Sequence, residues 1–304
     1  MLLRHFFLFT SRSAALRRWM ERWPAALRLT SRFVAGARPE DALSVTRQLN
    51  LSGISTTLDY LGESVTNLDE AAAARDVYLR LLDCIHAQSL QANVSLKLTQ
   101  FGIDISEAAC RENVAAVARK ACELHNFVHV DMESSDYTDR TLALVSDLHE
   151  HFPSIGAVVQ SYLYRSERDL EELIRRKIRV RLVKGAYDEP PSVAFPKKRE
   201  VDANFDKLAR MLLQAGNDPA LATHDEKLLR AAIKFAAAHG IPKDSYEIQM
   251  LYGIRRDLQS RYVAAGHRVR VYVPFGDAWY PYLMRRLAER PANVWFVASN
   301  LLRK

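Results

Sequence analysis

From residue 53 onward the chain alternates between two patterns. Short runs rich in β-branched and apolar residues occur at ISTTLDYLG, ANVSLKLTQFG, FVHVDME, IGAVVQSYL, IRVRLVKGAY, ALATHD, YEIQMLYG and HRVRVYVPFG. Between them lie segments of helical period, such as NLDEAAAARDVYLRLLDCIHAQ, SEAACRENVAAVARKACELHN and DEKLLRAAIKFAAAHG. Upstream, RPEDALSVTRQLNLSG reads as one more helix ended by Gly53, and DAWYPYLMRRLAE forms a helical tail. Strands alternating with helices predict a parallel sheet. Eight of them suit a closed (β/α)8 TIM barrel better than an open sheet. No linker or composition shift divides the chain. The expected organisation is a helical arm over residues 1–52 and a barrel over 53–304.

Composition changes little in this picture. The 304 residues are 48% hydrophobic and 26% charged, with eleven glycines and eleven prolines, as in an ordinary globular protein. Charge adds more. Of a net +7, the first 35 residues hold Arg4, Arg12, Arg17, Arg18, Arg22, Arg28 and Arg32 against Glu21 alone. The body is therefore nearly neutral, unlike a nucleic-acid binder, which spreads basic patches over its fold. The arm, Arg-rich and amphipathic, fits a packed helix, a membrane-surface helix or a transit peptide. Cys84, Cys110 and Cys122 form no C-x-x-C pair, which points to a reducing compartment and thiols without chemistry.

In a barrel of this kind the active site lies at the C-terminal ends of the strands. Polar residues expected there are Lys97, Thr99, Asp131, Glu133, Gln160, Arg181, Lys184, Thr223, His224, Asp225, Gln249 and Tyr272. In RLVKGAYDEP, Gly185 lets the backbone approach a ligand, and the flanking cations suit a phosphate or a flavin edge. Arg179 and Arg181 share one face of IRVRLV. If that face looks inward, each needs a bound anion or a neighbouring barrel acid, because a buried unpaired charge is very costly. Asp131 and Glu133 also share a face, and Asp131 can serve as a base or orient an arginine or tyrosine. Lys97 can in principle form a Schiff base. LATHDEK has no second histidine or cysteine at ligand spacing, so no metal is expected. In YLMRRLAERPAN, Arg285 and Arg286 face either water or a small acidic substrate. The residues alone thus reach a barrel enzyme with a cationic, aromatic-lined mouth.

VSLKLTQFG, VDME, QSYLYR, RLVKGAY, ATHD, QMLYGI, VYVPFG and YLMRRLAERPAN, in this order, make the chain resemble the bacterial monofunctional proline dehydrogenases from about residue 30 to 300. That resemblance implies a distorted FAD-binding barrel whose C-terminal helix covers the mouth. It implies oxidation of L-proline to Δ1-pyrroline-5-carboxylate by hydride transfer to FAD, with electrons passing to a membrane quinone. A separate chain would then carry the pyrroline-5-carboxylate dehydrogenase step. By motif, Asp131 and Arg181 are the catalytic residues. Lys97, Tyr272, Tyr282, Leu251, Arg285 and Arg286 contact substrate, the arginine pair holding its carboxylate. Met132, Gln160, Arg181, Val183, Lys184, Gly185, Ala186, Thr223, His224, Gln249 and Glu289 hold FAD, Glu289 standing between FAD contact and pairing with Arg285. The implied location is the cytoplasm, with peripheral contact at the inner face of the cytoplasmic membrane as one use of the arm. A methylenetetrahydrofolate reductase relative is the competing FAD barrel, but it has no need of a carboxylate-clamping arginine pair on a terminal helix. A catalytically silent barrel would be marked by loss of Arg181 or of that pair.

Overall fold

The computed structural model describes the backbone of residues 30–289 and side chains as far as Met284. Residues 1–29 and the side chains of Arg285, Arg286 and Glu289 lie outside the described residues, and with them the expectations for the arm and the arginine pair.

All eight expected strand segments form strands. In chain order the elements are α1 (Pro39–Leu51), β1 (Ser55–Tyr60), α2 (Leu68–Ala87), β2 (Ala92–Leu96), α3 (Glu107–Glu123), β3 (Val128–Val130), α4 (Thr138–His151), β4 (Ile155–Gln160), α5 (Ser166–Arg175), β5 (Arg179–Val183), α6 (Lys198–Ala215), β6 (Asn217–Ala222), α7 (Glu226–Ala238), β7 (Glu247–Leu251), α8 (Arg256–Ala264), β8 (Arg268–Phe275) and α9 (Trp279–Glu289). The strands pair in parallel in sequence order, and β8 closes on β1. The barrel departs from regularity in two places. Strand β3 has three residues, and the register between β5 and β6 shifts between Arg179 and Arg181.

Helix starts follow local chemistry. The Asn67 side chain accepts from the Glu70 amide at the head of α2, and Ser106 accepts from Ala109 at the head of α3. Each satisfies one of the donors a helix N-terminus leaves open. Helix α1, assigned from sequence to the arm, places Ala42 and Leu43 in the same core as the barrel helices.

Two kinds of interior result from strand alternation. Outward-facing residues such as Leu58, Val94, Leu96, Val130, Val180, Leu182, Ile248 and Val271 are buried against the helices, and this shell is the hydrophobic core. Alternate positions point into the barrel, and there the residues are polar: Thr57 and Asp59, Asn93 and Ser95, His129, Arg181, Glu247 and Gln249, Arg270. Such a lumen folds only if its polar groups satisfy one another. At its lower end the charged groups pair with one another. Glu247 accepts from Arg268 and Arg270, each at 2.8 Å, and Arg179 pairs with Asp218. Arg270, Arg179 and Arg268 together overcome the cost of burial and hold the Glu247 carboxyl well below the ordinary range.

Candidate active site

At the C-terminal ends of the strands the lumen opens into a cluster centred on Asp131. The sequence pattern places Asp131 on a strand, but β3 stops at Val130. The Asp131 amide still bonds the Leu96 carbonyl at 2.8 Å, and the chain then turns away. This leaves the carboxylate at the rim, where groups from three other strands reach it. Its Oδ1 accepts from Ser95 Oγ at 2.7 Å and from Arg181 Nη1 at 2.8 Å. Its Oδ2 accepts from the Tyr272 hydroxyl at 2.5 Å and lies 3.6 Å from Lys97 Nζ.

Lys97 donates to Asp59 Oδ1 at 2.8 Å. Burial disfavours its ammonium, but the Asp59 and Asp131 carboxylates outweigh that and hold its pKa well above the ordinary lysine value. A Schiff base needs a neutral amine, and the two carboxylates beside Lys97 favour its ammonium instead. Burial and the nearby Asp131 keep the Tyr272 hydroxyl protonated.

Arg181 is almost fully buried, and its guanidinium is held from several sides. Nε donates to Gln249 Oε1 at 2.7 Å, Nη1 to Ser95 and Asp131, and Nη2 to His129 Nδ1 at 3.2 Å. The Tyr272 ring lies 5.3 Å from it. Both inward arginines of β5 therefore pair with barrel acids, Arg179 below and Arg181 above.

Apart from Tyr282 on α9, the remaining expected residues among those described sit on or just after the ring of strand ends. Gln160, at the end of β4, donates its amide to the carbonyls of Met132 (3.4 Å) and Glu133 (3.2 Å). Those two bonds orient the amide, and Oε1 is buried with no hydrogen-bond partner among the described residues. His224 accepts the Leu251 amide on Nε2 at 2.9 Å, tying β6 to β7, and Thr223 accepts from the Asp225 amide. Lys184 is ion-paired with Asp202 (2.6 Å) and Asp225 (3.0 Å). The backbone carbonyls of Val183 and Lys184 accept from Ser161 and Tyr162. Gly185 has a φ of +108°, and a Cβ there would stand 2.3 Å from the Tyr162 ring. Its glycine is required by that packing as well as by its backbone angle. Ala186 follows in the same loop, half-buried, and Tyr282 is buried on α9.

Glu133 closes the ring between β2 and β3, accepting from the Thr99 amide at 3.0 Å and its hydroxyl at 2.6 Å. Burial outweighs those bonds and pushes its carboxyl up to about 7. Asp59, Ser95 and His129 were not expected from the sequence. The signal was present as polar residues at every second position of TTLDY, NVSLK and HVD, a pattern that a doubly buried strand would not otherwise keep.

Electrostatically the floor is balanced. Lys97 and Arg181 supply two cations, Asp59 and Asp131 two carboxylates. An aromatic hydroxyl and a fixed guanidinium meet on Asp131, and an amide oxygen without a partner among the described residues ends the neighbouring β4, a lining that suits a polar planar ligand beside a small charged one.

Comparison with known proteins agrees with this chemistry. Residues 42–299 match the family described as Proline dehydrogenase. Proline dehydrogenase 1 of Bacillus subtilis (strain 168) is 39% identical over 303 residues, covering 100% of both chains. Proline dehydrogenase of Deinococcus radiodurans is 41% identical over 280 residues, 90% of each. Among solved structures, proline utilization A from Bdellovibrio bacteriovorus inactivated by N-propargylglycine superposes with a TM-score of 0.80 at 28% identity. That match covers 86% of this chain and 32% of the larger one.

Proposed function

From the premise that the chain belongs to the proline dehydrogenase family, and so oxidises proline, we propose that it does so with FAD at the mouth of the barrel, forming Δ1-pyrroline-5-carboxylate. The observation that carries this reading is the Asp131 cluster, in which a lysine, an arginine and a tyrosine converge on one carboxylate at the strand ends.

The residues present fit a flavin. Gln160 Oε1 is a buried acceptor without a donor among the described residues, and an isoalloxazine carries a ring N–H of the kind it needs. Arg181 presents a fixed cation of the sort that stabilises negative charge arriving on such a ring. We assign the hold on FAD to Met132, Gln160, Arg181, Val183, Lys184, Gly185, Ala186, Thr223, His224 and Gln249. When bound, FAD supplies the hydride acceptor that no side chain can replace.

The substrate side follows from charge. Because Asp59 and Asp131 already neutralise Lys97 and Arg181, the proline carboxylate needs cations beyond the floor. We assign these to Arg285 and Arg286 of α9, whose guanidinium forks match a planar carboxylate. Lys97 contributes an ammonium hydrogen that Asp59 does not take. Tyr272, Tyr282 and Leu251 wall the ring, and Asp131 fixes Tyr272 and Arg181 relative to each other. Glu289 we assign either to FAD contact or to pairing with Arg285. Electrons would leave to a membrane quinone, with the basic arm as the contact to an anionic surface, and the product would pass to a separate dehydrogenase in the cytoplasm.

The visible spectrum of the purified protein tests this reading. Flavin absorption that bleaches on anaerobic addition of proline, with FAD released on acid denaturation, is expected. Release of FMN alone, or a spectrum unmoved by proline, would overturn it.

A further inference from the structure

His129 is fully buried in the lumen one residue pair below Asp131, and nothing in the reaction just described uses it. Its Nδ1 lies 3.2 Å from Arg181 Nη2. A guanidinium has only donors, so Nδ1 must accept, and the ring proton must sit on Nε2. That Nε2 is buried without a hydrogen-bond partner among the described residues. The Phe127 ring stands edge-on to the imidazole at 5.3 Å and 87°, and the guanidiniums of Arg179 and Arg270 lie over Phe127 at 3.7 and 5.2 Å.

Room for the imidazole comes from the neighbouring strand. Gly156 pairs with His129 across β3 and β4, and a Cβ there would meet His129 Cδ2 at 3.1 Å and the Arg179 carbonyl at 2.7 Å. Two positions are thus spent on placing a ring whose outer nitrogen finds no partner among the described residues, an arrangement that invites a functional cause. The gain lies at the other nitrogen. Ser95 and Asp131 fix Nη1 of Arg181, and Gln249 fixes Nε. Without His129, Nη2 would have none of these partners.

We propose that His129 is a positioning residue for Arg181, its neutral imidazole accepting from Nη2 to lock the guanidinium plane that faces the flavin. Only a neutral acceptor serves here. Burial first, then Arg181, Arg179 and Arg270, hold the imidazole well below its ordinary pKa, so it does not become a competing cation at working pH. This rests on the reading of Arg181 as a flavin contact, although the ring's tautomer and its bond to Arg181 do not.

The test compares His129→Asn, which keeps an acceptor where Nδ1 stands, with His129→Leu and His129→Gln, which do not place one there. Loss of a neutral acceptor from a buried charged donor is expected to lower kcat in Leu and Gln by about tenfold to a hundredfold. The flavin's reduction potential should fall in both, because the loosened cation stabilises reduced flavin less. Asn should restore kcat to within about threefold of wild type. Gln keeps the test alive if Leu does not fold. Independently of turnover, 15N NMR of the wild-type holoprotein should show His129 as the Nε2–H tautomer, unchanged between pH 6 and 8. The Arg181 Nε–H resonance should shift in Leu and Gln but not in Asn. Equal losses in all three variants would overturn the proposal, as would wild-type kcat and potential in Leu and Gln, or an Nδ1–H tautomer. If wild type shows no flavin at all, the reading of the site fails, while the NMR still decides whether His129 positions Arg181.

Discussion

Asp131 and Arg181 form a largely buried ion pair at the barrel mouth, and a double-mutant cycle measures what it contributes. Asp131→Ala removes a carboxylate that accepts from Ser95, Arg181 and Tyr272. Lys97 retains Asp59, so the cation left without an anion is Arg181, whose side chain is 4% exposed. At 2.8 Å and an effective dielectric of about 20, the attraction is roughly 6 kcal/mol before desolvation is counted. Breaking such a pair from one side costs about 3–5 kcal/mol, because a buried charge stays behind. For a 304-residue chain that corresponds to a fall in Tm of about 5–8 °C. Arg181→Met alone strands Asp131, which is wetter and keeps two hydroxyl donors, so its cost is expected to be smaller. The double variant strands neither charge. Its loss should fall short of the sum of the singles by at least about 2 kcal/mol. Urea unfolding followed by tryptophan fluorescence, with flavin content recorded for each variant, supplies the four free energies. Additivity within about 0.5 kcal/mol would refute the claim that this pair is coupled and desolvated.

Glu133→Gln tests the buried carboxyl that joins β2 to β3. Because its folded pKa is raised from 4.5 to about 7, its contribution to stability is present below about pH 4.5 and lost as pH rises through about 7. A Gln can keep both contacts to Thr99, so the variant's unfolding free energy should gain on wild type between about pH 4.5 and 7, by about 3 kcal/mol in all, and level off above that; a pH-independent difference would contradict this. Arg285→Met and Arg286→Met should each leave flavin bound while lowering kcat/KM for proline by about 30-fold or more, mostly through KM. A change within about 0.5 kcal/mol would return both to the solvated helix end.

The alternation of strand and helix patterns was enough to count eight strands and to infer closure, because every strand carries its own period-2 signal and its own turn. Strand ends were legible to within a few residues. They failed at Asp131, which leaves the ladder after a final bond to Leu96, and at ALATHD, where β6 begins at Asn217 and stops at Ala222. Neither Val130 nor Ala222, where these strands stop, is followed by a glycine or proline to mark the end; pairing with the neighbouring strands sets both.

Motif residues such as Lys97, Arg181, Gln249 and Tyr272 stood out in the sequence because charge and aromatic character at a strand end invite suspicion. What each one touches did not. That Arg179 pairs with Asp218 and Glu247 while Arg181 pairs with Asp131 depends on which strands the closed barrel sets across the lumen, which no local pattern encodes. Asp59 and His129 were hidden for a related reason. An isolated acid or histidine in a strand reads as an ordinary polar residue until the closed barrel turns that face inward. The sequence by itself therefore determined the barrel, its family and the roster of polar strand ends, since these rest on periodicity and on residue types in order. Only the tertiary structure decided which charges cancel and which nitrogen of His129 must accept, since these depend on distances of a few ångströms between residues far apart in the chain.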